Sequence, residues 1–477
     1  MKSRVLGLIA LFCSAALPCC ALAEDGVDFA PFYESGTDVF GNRRWRALGP
    51  ILESRQSEKG NELFAIRPLY SFMSDPAENL YRRQVLYPLL MAKGIGSEWD
   101  WHFALLFSYH DFDVNDPFSK YRLWLVPVYF QGRDAEGVPY MAIFPFAGSI
   151  REFIVFDEVR FAMFPLAFYT RVNDVKTTSM AWPFFSRTTG GGNDRLVAFP
   201  FYGRSRLREE SDKYFVLWPF WTHARYSLPQ SPGSAWIAFP FYGQVSLENQ
   251  HSCMFVPPLF RYARGVDREG VEKTMIHWPW PFIQYASGPV NKLYFWPLWG
   301  RSQRDTNKTE FFMWPLAFHY SREAPFYAYD RYVLFPVFYA TSTRGSFDDP
   351  ERKMDQPRRT VKVWPLFSNV SDADRSRFAM LSLFPYRDYD AIERNYGALW
   401  TLFTYSVAAD RREAELLWGL ARYRESAEER KFSLFPLVSV ARENRSGHFH
   451  WSFLKGLIAR EKAGDERRFR LLYFITF

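Results

Sequence analysis

The sequence predicts an all-β chain built from one repeating unit: a large antiparallel, up-and-down array of about 24 strands. Three observations carry that reading. An aromatic-Pro unit recurs with successive prolines mostly 17 to 21 residues apart, as between Pro145, Pro165, Pro183, Pro200, Pro219 and Pro240. Each apolar segment is short and is flanked by Gly, Asp, Asn, Ser, Arg and Glu, which is a strand-and-turn signature. Beyond the N-terminus, no apolar run approaches the roughly 20 residues of a membrane-spanning helix.

The elements follow in chain order. Lys2 and Arg4 precede the apolar stretch Val5 to Leu17, and Ala21-Leu22-Ala23 offers a small-x-small cleavage pattern. Residues 1–23 are therefore expected to be a cleaved signal peptide, with one repeat-built β domain over 24–477. A lipid attachment motif would want a small residue just before its Cys, whereas Pro18 and Cys19 stand there. Of four cysteines, Cys13, Cys19 and Cys20 leave with the signal, so Cys253 remains alone and no internal disulfide is expected. The formal charge of +7 falls to +5 without Lys2 and Arg4, too weak a balance to suggest nucleic acid. With 19% aromatic and 23% charged residues, the chain is neither disordered nor collagen-like.

Well-formed copies of the repeat include Ala198-Phe199-Pro200-Phe201, Leu217-Trp218-Pro219-Phe220, Ala238-Phe239-Pro240-Phe241, Phe295-Trp296-Pro297-Leu298 and Met313-Trp314-Pro315-Leu316. Degenerate copies such as Ala30-Pro31-Phe32 and Leu417-Trp418-Gly419-Leu420 extend it towards both ends. If each copy is one strand, the unit of about 19 residues matches a tilted membrane strand of about 9–11 residues plus a turn. Strand side chains alternate, so the residues before and after each Pro share one bulky apolar face. That face is assigned to lipid, and the Pro face to the lumen of a closed transmembrane barrel, because open edges cannot lie in hydrocarbon. Pro in mid-strand opposes this, since it lacks an N–H and belongs at edges and bulges. The competing fold is a soluble β-repeat or solenoid.

Tyr473, Ile475 and Phe477 alternate to the end of the chain. This resembles the terminal strand signal of Gram-negative outer-membrane β-barrels, with no more specific family. The resemblance implies an outer-membrane location, contact with its lipids and the barrel assembly machinery, and Tyr473, Ile475 and Phe477 as the assembly signal. The alternative location is the periplasm or cell surface. If turns alternate sides along such a barrel, those near Arg411 and Asn444 fall inside, and those near Glu428 and Gly464 fall outside with the loop around Asp349.

Chemical motifs are few. His110-Asp111-Phe112-Asp113-Val114-Asn115-Asp116 places oxygen ligands on alternate residues but lacks the Gly and Glu of a calcium loop, so it reads as a solvated loop. His448 and His450 have no evident third metal ligand, and Gly190-Gly191-Gly192 lacks the following helix of a phosphate cradle. No catalytic site, cofactor or metal is assigned. Four residues after the repeat Pro come Arg204, His223, Arg261, Arg301 and His319, a basic rim suited to anions or envelope glycolipids. Tyr202, Trp221, Tyr242 and Trp299 are candidate lumen aromatics for a saccharide or small solute. The expected function is a channel or exporter for a small or polymeric solute, against a non-catalytic structural or interaction β-repeat protein of the envelope.

Overall fold

The computed structural model describes residues 26–345, 357–463, 466–473 and 475–476. The expected signal peptide, the loop around Asp349 and Phe477 lie outside the described residues. Among those described, 46 strands form one antiparallel, up-and-down sheet. Apart from the two-residue end strands, each has five to eight residues, or about 17–27 Å.

The strand count is almost twice the expected one, and the reason lies in the prolines. Each aromatic-Pro motif is a turn, with strands on either side of it. Asn193–Ala198 ends where Phe199-Pro200-Phe201 begins, and Tyr202–Leu207 starts directly afterwards. Eighteen X-Pro bonds among the described residues are cis, including Phe199-Pro200, Trp218-Pro219 and Trp314-Pro315, as in the turn class that carries Pro at its third position. The unit of about 19 residues is thus a hairpin of two short strands. Pro removes no ladder bond, so the mid-strand difficulty disappears. Neighbouring turns also satisfy one another: the Leu217 N–H donates to the Phe201 carbonyl and that of Trp218 to the Pro200 carbonyl, both at 2.7 Å. The same pattern joins Met313 to Leu298 and Trp314 to Pro297.

Two strands per repeat also change the topology. Among the described residues, the aromatic-Pro turns fall at one edge of the ladder and the intervening turns at the other. The turns after Ala408, Glu425 and Glu443 are therefore on the same side, and the expected alternation of inside and outside does not hold. The sheet is not closed: Asp28–Phe29 pairs with Tyr33–Thr37 and Ile475–Thr476 with Glu466–Leu471, but the two ends do not pair with each other.

The described residues fall into two compact units. Unit 2, Lys120–Pro357, has an apolar cluster of Phe130, Tyr140, Ala142, Ile150 and Phe161. Its packed face runs across paired residues that include Ser179, Val197, Phe311 and Val333, all buried. Glycines on this face lie beneath rings of the adjoining strand. A Cβ on Gly203 would sit 2.1 Å from the Phe215 ring, and one on Gly300 would sit 2.3 Å from Phe311. Gly300→Val should therefore displace the buried Phe311 ring and destabilise unit 2 by about 1–3 kcal/mol. Chemical denaturation checks this, and an unchanged midpoint would show that the ring has room to move.

Unit 1 comprises the described parts of Met1–Ser119 and Arg358–Phe477, and its interior is ionic. Strand pairing aligns Glu34, Arg46 and Glu53 in one row and Glu415 with Arg422 in another. Arg46 Nε lies 2.5 Å from Glu34, and its Nη2 pairs with Glu415. Arg422 pairs with Glu34 and lies 3.5 Å from Glu415 and 3.6 Å from Glu413. Arg67 meets Glu53 at 2.6 Å. The Arg422 side chain is only 3% exposed, and Glu34 and Glu415 are 7% and 8% exposed. Burial raises the Glu34 pKa, yet the guanidiniums of Arg46, Arg44 and Arg422 outweigh it and hold the carboxyl well below the usual range.

Candidate functional site

The most extensive exposed feature is the edge formed by the aromatic-Pro turns. In unit 2, Phe201, Phe220 and Phe241 follow consecutive turn prolines and are 66%, 59% and 75% exposed, while Trp218 and Trp314 are 50% and 53% exposed. Their rings meet from turn to turn, Phe199 to Trp218 at 5.4 Å and Trp296 to Trp314 at 5.9 Å between centroids. The local cause is the hairpin repeat itself. The five to eight residues between turns bring every described aromatic-Pro turn back to one edge, leaving Asn173-Asp174, Glu209-Glu210, Glu248-Asn249 and Asp305-Thr306 at the other, where the apolar turns Ile154-Val155 and Pro325-Phe326 also lie. Because the turn backbone is hydrogen-bonded to adjacent turns, what this edge presents outward is mainly apolar side chain.

Four of the five basic candidates do share a face. Register carries one row from Arg204 through Tyr214, His223, Trp236 and Gln244, and another stretch of it from Arg301 through Glu310 to His319 and Tyr332. Arg204 forms a two-point contact with Asp212, its Nε donating at 3.0 Å. Arg301 lies 3.2 Å from Glu310. His319 stacks on Tyr332 at 4.1 Å and faces Asp330 at 3.5 Å, and His223 stacks on Tyr214 at 5.1 Å. Two of these cations are thus neutralised by their own neighbours.

Arg261 is on the opposite, packed face. The cis bond in this turn joins Pro257 to Pro258, so Arg261 is three residues after the turn proline and the parity flips. It pairs across strands with Met254 and His277, and its Nε donates to the buried Ser252 hydroxyl at 3.1 Å. Burial pushes its pKa down, and burial together with Arg261 lowers that of His277.

Tyr202, Trp221 and Tyr242 lie in one row beside the apolar turns, on the face of Arg204 and His223, and Trp299 shares the face of Arg301. Trp221 stacks on Trp236 at 5.6 Å. The sheet that carries this face is not closed among the described residues. At the C-terminus, Ile475 pairs with Leu471, and the Tyr473 hydroxyl donates to the Leu454 carbonyl at 3.0 Å.

The calcium-like stretch spends its oxygens on its own loop. Asp113 accepts the Asn115 N–H at 3.0 Å, Asp116 accepts the Phe118 N–H at 2.8 Å, and buried Asp111 accepts the Ser119 hydroxyl at 3.0 Å. His450 contacts Glu461 at 3.2 Å. Gly191 and Gly192 form the turn between Phe185–Gly190 and Asn193–Ala198, with no helix following.

The chain matches no known family model and no curated protein.

Proposed function

We propose that this protein is a non-catalytic β-repeat protein of the cell envelope that attaches to a lipid surface through its aromatic-Pro edge. The continuous row of exposed aromatic turns carries this reading. Large contiguous apolar surface marks a protein or membrane contact, and Trp with other amphipathic aromatics suits the membrane interface. In unit 2 the row recurs from turn to turn, which suits contact with a bilayer surface. Transferring a few such side chains at about 2–3 kcal/mol each would suffice for firm attachment. The opposite, polar edge would face water.

Strand length and the open sheet favour attachment over the channel or exporter reading. A closed spanning barrel would want strands of about 9–11 residues and paired first and last strands. Flotation with phosphatidylglycerol-containing vesicles tests the proposal. The mature chain should float, and the triple change Phe201→Ser, Phe220→Ser and Phe241→Ser should weaken partitioning by about tenfold or more. Planar bilayers should show no conductance steps. Undiminished flotation of the triple variant would remove the edge from the function, and discrete conductance would restore the channel.

A further inference from the structure

The ionic interior of unit 1 contains a cavity of about 340 Å³ whose wall includes Arg377, Thr404, Ser406 and Glu393. The other arginines around it are engaged. Arg55 lies 2.6 Å from Glu53, Arg424 donates to Glu413 at 2.8 Å, and Arg394 donates to the Gln84 side-chain Oε1 at 3.3 Å. Arg377 is the exception. Its cross-strand neighbours are Val370 and Ser406, with no carboxylate opposite on either side. It forms no hydrogen bond or ion pair among the described residues. Its side chain is exposed to solvent where it lines the cavity, and Glu393, Glu53 and Asp388 act on it only from beyond ion-pair distance.

Two hydroxyls sit beside it. Ser406 is directly opposite Arg377, and Thr404 is two residues along the same strand and so on the same face. Neither hydroxyl has a hydrogen-bond partner among the described residues. Glu413 and Glu415, across from them, are occupied by Arg424, Arg422 and Arg46. Glu393, also on the wall, leaves its Oε1 unpartnered; burial and Asp388 raise its pKa, and Lys362 and Arg377 act against that rise. An unmatched guanidinium flanked by two free hydroxyls is the donor set that recognises an oxyanion.

We infer that this cavity is a binding site for a small soluble carboxylate or phosphate, held by Arg377 with Ser406 and Thr404. The site is independent of the aromatic edge. Calorimetric titration of the full mature chain with acetate and with inorganic phosphate should give saturable one-to-one binding of at least one of them. Arg377→Gln should weaken it by about tenfold or more, and Ser406→Ala by a smaller factor. Arg187→Gln, on an exposed strand of unit 2, should leave it unchanged. Phenylglyoxal labelling of the unmodified protein, read by peptide mass, is the second measurement: the anion should protect Arg377, and this decides the matter even if Arg377→Gln fails to fold. Absence of saturable binding, equal affinity in Arg377→Gln, or no protection of Arg377 would each overturn the assignment. Binding of only a short-chain phosphatidylglycerol would overturn it too, by moving the ligand to a lipid headgroup.

Discussion

Replacing Arg422 by Met is expected to lower the unfolding free energy by about 3–5 kcal/mol, the cost of leaving buried carboxylates without their cation. Arg422 pairs with Glu34 and approaches Glu413, Glu415 and Asp28 at 3.5 to 3.6 Å, from a side chain 3% exposed. Met fills much of the volume but neutralises nothing. The comparison is Arg187→Met, whose contact with Asp194 at 3.6 Å is exposed on both sides, 62% and 66%, and should matter by less than about 0.5 kcal/mol. Adding Glu34→Gln to Arg422→Met should recover part of the loss, because the orphaned charge goes with its partner. Denaturant midpoints at unchanged m-value provide the reading. If Arg422→Met were as mild as Arg187→Met, water would have to reach the network freely.

The repeat was legible because its period is fixed by punctuation: Pro in one turn and Gly, Asn or Asp in the next survive as residue types. The strand count was not, because Ala198-Phe199-Pro200-Phe201-Tyr202 has the length and composition of a single strand. The restriction of Pro to sheet edges and turns was the available signal for division. A second signal was Gly following an aromatic, as in Phe201-Tyr202-Gly203 and Leu298-Trp299-Gly300, which the structure explains by the ring of the neighbouring strand lying over the Gly. Arg204, His223, Arg301 and His319 share one face because they share a register. Arg261 lies on the other face because two adjacent prolines shift which one makes the turn. The ionic interior of unit 1 had no sequence signature. Glu34 and Arg422 are far apart in the chain, and a strand that buries Arg and Glu alternates like one that exposes them.

That interior also sets an expected response to acid, with a sign that follows from which state binds protons more tightly. Glu34, Glu53 and Glu413 are buried, which raises their pKa values, but the surrounding guanidiniums win and hold all three below the ordinary carboxylate range. In unfolded chain they return to about 4.3. Between the depressed and ordinary values the unfolded state carries more protons, so stability falls as pH falls. The contribution is complete above about pH 5 and diminishes below it, by about 1.4 kcal/mol per pH unit for each carboxylate. Glu393 has the opposite sign: burial and Asp388 raise its pKa, so it opposes folding once pH exceeds its unfolded value, and Glu393→Gln should raise stability near neutrality. In unit 2 the comparable Asp212 is depressed by Arg204 but faces solvent, where the effect on stability is small. Acid should therefore open unit 1 first. Hydrogen exchange followed by peptide mass from pH 7 to pH 3, corrected for intrinsic rates, should show Arg43–Ala47 and Arg411–Leu416 losing protection before Tyr202–Leu207 and Trp299–Arg304. Simultaneous loss in both units would mean that the buried carboxylates do not govern the transition, and earlier loss in unit 2 would reverse the assignment of where acid acts.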